Sequence, residues 1–398
     1  MMPMRGAALA LAVLALAGCS GKVKVREPSK LVAITSPGLR PVEIWSRDAG
    51  NGSTRGGLLD GGFFSGGTFY SGLRLSVEAD AVYAAAIDGG VYAMNPQTGA
   101  TIWRTATKAR IISGPTVSDD KVLVGTLDGE AIAFARADGK EVWRSHFPSE
   151  VLAAPVGSGN VVVVRSSDGR EFGISAADGT RIWSFDRNEP NLTLRGLSEP
   201  LILGNRVFTG MDNGKLAALN LADGVVAWEQ NISVPTGRGD LDRLTDIDAD
   251  LLAGPNGVYV VTYGNDVALL DLVSGESRWR RSIKSYTGLA SDDKHLYVTD
   301  DDGLLWALDA DTGAAIWKQE SVKYRRLSPP AAFNGYIVAG DFQGYLHWFE
   351  PREGRIVART KVSSNAIISA PVADAEGKHL YVTDIKGHVV AYQAGPVK

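Results

Sequence analysis

Cysteine is almost absent from this chain. Among 398 residues there is one, Cys19, which excludes an internal disulfide and any zinc site built on several thiolates. Strong charge of either sign is absent too. Lys and Arg number 41 against 45 Asp and Glu, a formal net charge of -4, so no global positive field draws the chain onto nucleic acid. The apolar run Ala7 to Ala17 is too short to span a bilayer, which takes about 20 residues. Histidine is scarce: His146, His295, His347, His379 and His388 are the five, and no two stand at the i, i+4 spacing of a helical zinc pair. The G-x-S-x-G, Walker A and G-x-G-x-x-G signatures are missing.

Glycine, by contrast, is abundant at 46 residues, and hydrophobic residues make up 44%. The glycines follow a repeat. A β-branched strand leads to an Asp-Gly turn, a second strand, a Thr-Gly or Asp-Gly turn, and a third strand carrying Trp. The clearest copy runs from His295 to Gln319. Its first turn recurs at Asp88-Gly89, Asp128-Gly129, Asp168-Gly169, Asn213-Gly214, Asn265-Asp266, Asp302-Gly303, Gln343-Gly344 and Lys386-Gly387. A period of roughly 40 residues with several strands per copy is the signature of a propeller blade. The outer-strand tryptophans are Trp103, Trp143, Trp183, Trp228, Trp279 and Trp317, with Val357 in their place in the seventh copy. The eighth copy lacks a Trp strand, and Val42-Glu43-Ile44-Trp45-Ser46 near the other end supplies one. The expectation is an all-β, eight-bladed β-propeller over 42–398, closed by the N-terminal strand in the last blade, which removes a free edge. Seven blades is the count if one copy is irregular.

The segment before the propeller carries Arg5, the short apolar run and then Leu16-Ala17-Gly18-Cys19. This resembles the lipobox of bacterial lipoproteins. It implies a signal peptide over 1–18, acylation of Cys19 and a tether over 19–41. Ser20, rather than Asp, after the cysteine favours the outer membrane by the sorting rule of that class.

The places where the repeat breaks carry the functional information. In a propeller the turns between second and third strands share a face with the connections between blades. Two of those connections are long, from Trp183 to Pro200 and from Trp228 to Ala249, against 12 positions from Trp103 to Pro115. Long loops on a rigid scaffold are where binding tends to reside. The first holds Asn191-Leu192-Thr193-Leu194-Arg195-Gly196, an anchor of the kind found at interfaces, unless the leucines tuck into the propeller. The second, Asp240 to Asp250, is acidic with apolar residues between the charges. Arg195 is placed to pair with Asp246 or Asp248 across the two loops. A Gly-rich stretch, Gly50–Gly67, reads as a connector or as a partner-contact loop. Lys323-Tyr324-Arg325-Arg326 reads as a solvated basic rim, with a contact to a partner or anionic lipid as the alternative.

The lipobox, eight quinoprotein-like (PQQ-like) blades, the Leu-x-Leu-Arg-Gly loop and the Asp-Arg-Leu-x-Asp-x-Asp loop, in that order, resemble the BamB family. Those are lipoprotein subunits of the bacterial machine that assembles β-barrel proteins in the outer membrane (the BAM complex). The resemblance covers essentially the whole chain after the lipobox. It implies a non-catalytic scaffold, lipid-anchored at the outer membrane and facing the periplasm, that docks the periplasmic POTRA domains of BamA through Leu192, Leu194, Arg195, Asp246 and Asp248. It also leaves room for contact with unfolded outer-membrane proteins. No metal or cofactor is implied.

The blade repeat is shared with PQQ-dependent dehydrogenases, so an enzyme of that kind is the rival. Such enzymes are typically much larger, and many use a disulfide of adjacent cysteines, which one cysteine cannot make. The acidic runs Asp300-Asp301-Asp302-Gly303 and Asp240 to Asp250 lack the spacing and terminal Glu of an EF-hand. A lectin-like or peptide-binding propeller is the third class.

Overall fold

A computed structural model of the chain describes residues 26–50, 53–55, 68–70, 72–187, 198–234, 245–263, 266–285, 287–292 and 294–397. Cys19 and the lipobox lie outside these residues. Among the described residues there is no helix. The strands form eight four-stranded antiparallel blades, which span Ser76–Ala106, Ile111–His146, Val156–Phe185, Leu201–Asn231, Leu252–Ser282, Leu289–Gln319 and Ala331–Lys361, with the eighth built from both ends of the chain. In blade 8 the strand Arg40–Asp48 pairs antiparallel with His388–Gly395, Trp45 opposite Ala391. The N-terminal strand thus closes the ring as expected.

The core is divided into eight clusters, each lying between two consecutive blades. This explains why the middle strands read as unbroken apolar runs. In blade 2, Val122 and Val124 face blade 1 while Leu123 between them faces blade 3, and all three are fully buried. A strand covered on both sides has no polar face to show. The fourth strand is covered on one side only, so it alternates: Trp103 is buried, and Ile102 beside it is exposed.

The tryptophans do more than fill space. Trp45, Trp103, Trp143, Trp183, Trp228, Trp279 and Trp317 each donate the indole N–H to a carbonyl in the next blade, at 2.7–3.2 Å. Among the described residues the ring contacts of these outer-strand tryptophans are within a blade, as between Tyr259 and Trp279 or Tyr297 and Trp317. What meets the indole from the next blade is the glycine of a Thr-Gly or Asp-Gly turn. Gly313 has φ +69°, and a Cβ there would stand 2.5 Å from the Trp279 ring. That turn needs glycine for its left-handed backbone and for its close approach.

The eighth boundary, between blades 7 and 8, has Val357 where the others have Trp. Residues 26–39, read from the sequence as part of a tether, lie along the rim here. The amide of Ser29 donates to Lys323 O and that of Gly38 to Val357 O, at 2.9 and 3.0 Å. Arg359 Nη1 reaches Val32 O at 3.0 Å, and Leu39 is buried in the same cluster as Val357.

Candidate functional site

The start of each between-blade connection bonds back to the turn of its own blade: Thr107 N–H to Gly89 O, Phe147 N–H to Gly129 O, Ile232 N–H to Gly214 O. Turns and connections therefore share one face, as the sequence pattern requires. That face holds the long connections into blades 4 and 5. It also holds a third, which the repeat conceals. The stretch after the closing strand, residues 49–71, is the connection from blade 8 into blade 1. Its described part includes a short hairpin, Ser53–Arg55 with Thr68–Tyr70, and it contains the Gly-rich 50–67.

Leu192, Leu194 and Arg195 lie outside the described residues. Asp246 and Asp248 lie within them, and neither carboxyl is on an open surface. Asp246 is fully buried. Asp248 keeps some exposed surface as a residue, but its Oδ1 is sealed and has no hydrogen-bond partner. Burial pushes the Asp248 carboxyl up to about 8; the neighbouring charges of Asp246 and Asp212 add to this, and Arg165 opposes it. Ile247 between them is buried against Gly210, where no side chain would fit. The root of the acidic loop is anchored by this alternation, with Ile247 in the core and an aspartate on either side drawn in with it.

The counter-charge is Arg165, 2% exposed, at the end of a strand in blade 3. Its Nη2 donates to Asp212 Oδ1 at 2.9 Å and its Nη1 to Ser198 Oγ at 3.3 Å. Ser198 is the first described residue after 188–197. Glu171, opposite Arg165 in the hairpin, accepts a short hydrogen bond from the Thr209 hydroxyl, and its Oε2 has no partner. Burial raises Glu171 and Asp212, and Arg165 lowers both. Beneath the roots of two long loops, the Arg165 guanidinium thus lowers Glu171, Asp212 and Asp248 together, against the burial that raises all three. A buried carboxylate is costly, so burial favours the protonated form. Among the described residues no group of three or more His, Cys, Asp or Glu is arranged to hold a metal ion.

Sequence reasoning missed this network, although a signal exists. Four positions before the turn glycine, blades 1, 2, 4 and 7 carry Ala85, Gly125, Gly210 and Gly340, and blade 3 carries Arg165. A long cation where the repeat keeps a small residue marks the spot. The basic run was misread as well: Arg325 is 2% exposed, not a solvated rim, and binds Asp341, Gln343 and the carbonyl of Ser29.

Eight blades of this repeat, locked by tryptophan and glycine and carrying their long connections on one face, define a quinoprotein-like propeller. Solved structures agree on that fold. BamB from Moraxella catarrhalis superposes with a TM-score of 0.78 at 24% identity, over 89% of this chain and 100% of that one. The quinohemoprotein alcohol dehydrogenase of Comamonas testosteroni does so with 0.68 at 14%, over 90% and 77%. Sequence relatives go further. The family described as outer membrane protein assembly factor BamB matches residues 87–319 and 307–396. The protein of that name in Alkalilimnicola ehrlichii is 47% identical, over 97% of this chain and 96% of its own length. The one in Pseudomonas aeruginosa is 41% identical, over 98% and 99%. The chain belongs to the BamB family of outer membrane protein assembly factors.

Proposed function

We propose that this protein is a non-catalytic scaffold of the outer-membrane β-barrel assembly machinery, lipid-anchored through Cys19 and facing the periplasm. The face carrying the long connections docks the POTRA domains of BamA, through Leu192, Leu194 and Arg195 on one loop and Asp246 and Asp248 at the root of the other. The observation that carries the reading is the pairing of full-length kinship to outer membrane protein assembly factors with this face. The buried aspartates suit a bracing role. Buried at the root of their loop, they would steady its base, while the apolar and cationic side chains of the facing loop would meet the partner. Handing incoming unfolded barrel proteins to the machine is the second part of the reading, with exposed fourth strands, such as the one carrying Ile102, Ile182 or Ile316 in its blade, available for strand addition.

Capture of a purified POTRA fragment tests the docking. Arg195→Ala, and Leu192→Ala with Leu194→Ala, should each reduce capture by folded protein; undiminished capture would remove the proposed site. A dehydrogenase reading requires turnover of an alcohol or sugar with added quinone and calcium, and the expected result is a flat trace. Loss of the lipid-modified form in Cys19→Ala, read by mass spectrometry, tests the anchor.

A further inference from the structure

Arg74 closes a triangle across the mouth of the propeller. The backbone that carries it enters from the third long connection: Gly72–Leu73 runs parallel to Ser113–Gly114 of blade 2, and Arg74 N–H donates to Gly114 O at 3.0 Å. Its Nη1 donates to Asp250 Oδ2 at 2.9 Å and its Nη2 pairs with Glu199 Oε2. The remaining Asp250 oxygen accepts the backbone N–H of Glu199 at 2.9 Å. Glu199 stands two residues after the 188–197 loop, and Asp250 two residues after Asp248. Arg74 is held on the inner strand of blade 2, while Glu199 and Asp250 precede the first strands of blades 4 and 5, so the guanidinium joins the roots of all three long connections.

We infer that Arg74 is a positioning residue for the partner-binding face: it fixes the separation of the two loop roots at Glu199 and Asp250 and ties them to the backbone at the entry to blade 1. The inference rests on the docking reading above. An exposed ion pair alone contributes little. This arrangement differs because both Asp250 oxygens are engaged, one of them by a backbone amide, and because Glu199 and Arg74 are largely sheltered, with side chains 15% and 29% exposed. Sequence placed no role on Arg74, and it read the Gly-rich stretch before it as a connector or as a partner-contact loop.

The test uses the full mature chain with four variants: Arg74→Ala, Arg74→Lys, Asp250→Ala, and Arg74→Ala combined with Asp250→Ala. Arg74→Ala should leave the thermal midpoint nearly unchanged. It should speed amide exchange at Glu199 without affecting Thr107–Pro115, and weaken POTRA capture on the order of fivefold. Arg74→Lys should restore part of that loss. The double variant should be no weaker than the worse single one, because the two residues act as one unit. Unchanged capture by Arg74→Ala overturns the inference whatever the exchange shows. If the wild type itself fails to capture the fragment, the docking reading falls, and exchange at Glu199 alone decides whether Arg74 holds the loop roots.

Discussion

Trp45 donates its indole N–H to the carbonyl oxygen of Pro96 at 2.7 Å, linking the closing strand of blade 8 to blade 1. Its ring also lies against Tyr381 of its own blade, with centroids 5.9 Å apart. Removing it should open the ring at its only discontinuous blade. Trp45→Ala is expected to cost about 3–5 kcal/mol for the lost burial, with about 1 kcal/mol more for the hydrogen bond. Denaturant unfolding checks the size. Trp45→Phe should recover most of the first part and none of the second.

Two glycines with similar backbones separate strain from packing. Gly313 and Gly335 have φ of +69° and +76°, but an added Cβ meets the Trp279 ring at Gly313 and nothing within 4 Å at Gly335. Gly335→Ala should lose only about 1–2 kcal/mol, the left-handed penalty. Gly313→Ala should lose clearly more and red-shift tryptophan emission as the buried indole is pushed toward solvent. Equal losses in the two variants would contradict the proposed contact.

The Asp248 carboxyl sets a pH dependence with a definite sign. Its folded pKa, near 8, lies above the unfolded value, about 3.9. Below pH 4 both states hold the proton and the group costs nothing. As pH rises from about 4 to about 8 the unfolded chain releases its proton and the folded one keeps it, so stability falls, with a limiting slope of about 1.4 kcal/mol per pH unit. Asp248→Asn should therefore match the wild type near pH 4 and exceed it increasingly up to pH 8, where the gap levels off. Urea titrations at several pH values measure it. A constant gap would show that Asp248 is ionised throughout.

The segment before the closing strand should behave as folded protein. The amides of Ser29 and Gly38 are bonded to Lys323 and Val357 carbonyls, so they should exchange slowly while those of a free spacer exchange at once. Leu39→Ala should destabilise by about 2–4 kcal/mol because it leaves a cavity at the boundary where Val357 stands in place of the outer-strand tryptophan. Arg325→Ala should release Ser29 and make the segment sensitive to protease.

The blade count, the closing role of Trp45 and the crowded face were legible because turn glycines and tryptophans recur at short, regular spacing. Each is a local demand of the backbone or of one neighbour. The residues that sequence reasoning missed answer to distant partners. Arg165 gains its place from Asp212 and Ser198 in the next blade, and Arg74 from Glu199 and Asp250 across the ring. The Gly-rich 50–67 was legible as a connector or partner-contact loop, but not as a connection of the same kind as the two long ones, because the strand before it belongs to the last blade and not to a copy of the repeat. The burial of Asp246 and Asp248 was not legible because nothing in their spacing reveals that Ile247 pulls the loop root inward. Leu192, Leu194 and Arg195 lie outside the described residues, so their part in the face rests on the docking proposal.

The pairing of Arg40–Asp48 with His388–Gly395 also sets a timetable. The first strand to leave the ribosome has no partner until nearly the last residue is made, and closing so long a loop is entropically slow. Blades 1 to 7 need only local hairpins and can assemble in turn, whereas the ring stays open, with one strand edge on each side of the gap, until the chain is complete. A truncated product would therefore be a row of blades with a sticky end. Only the finished chain makes a surface with no edge at the seam.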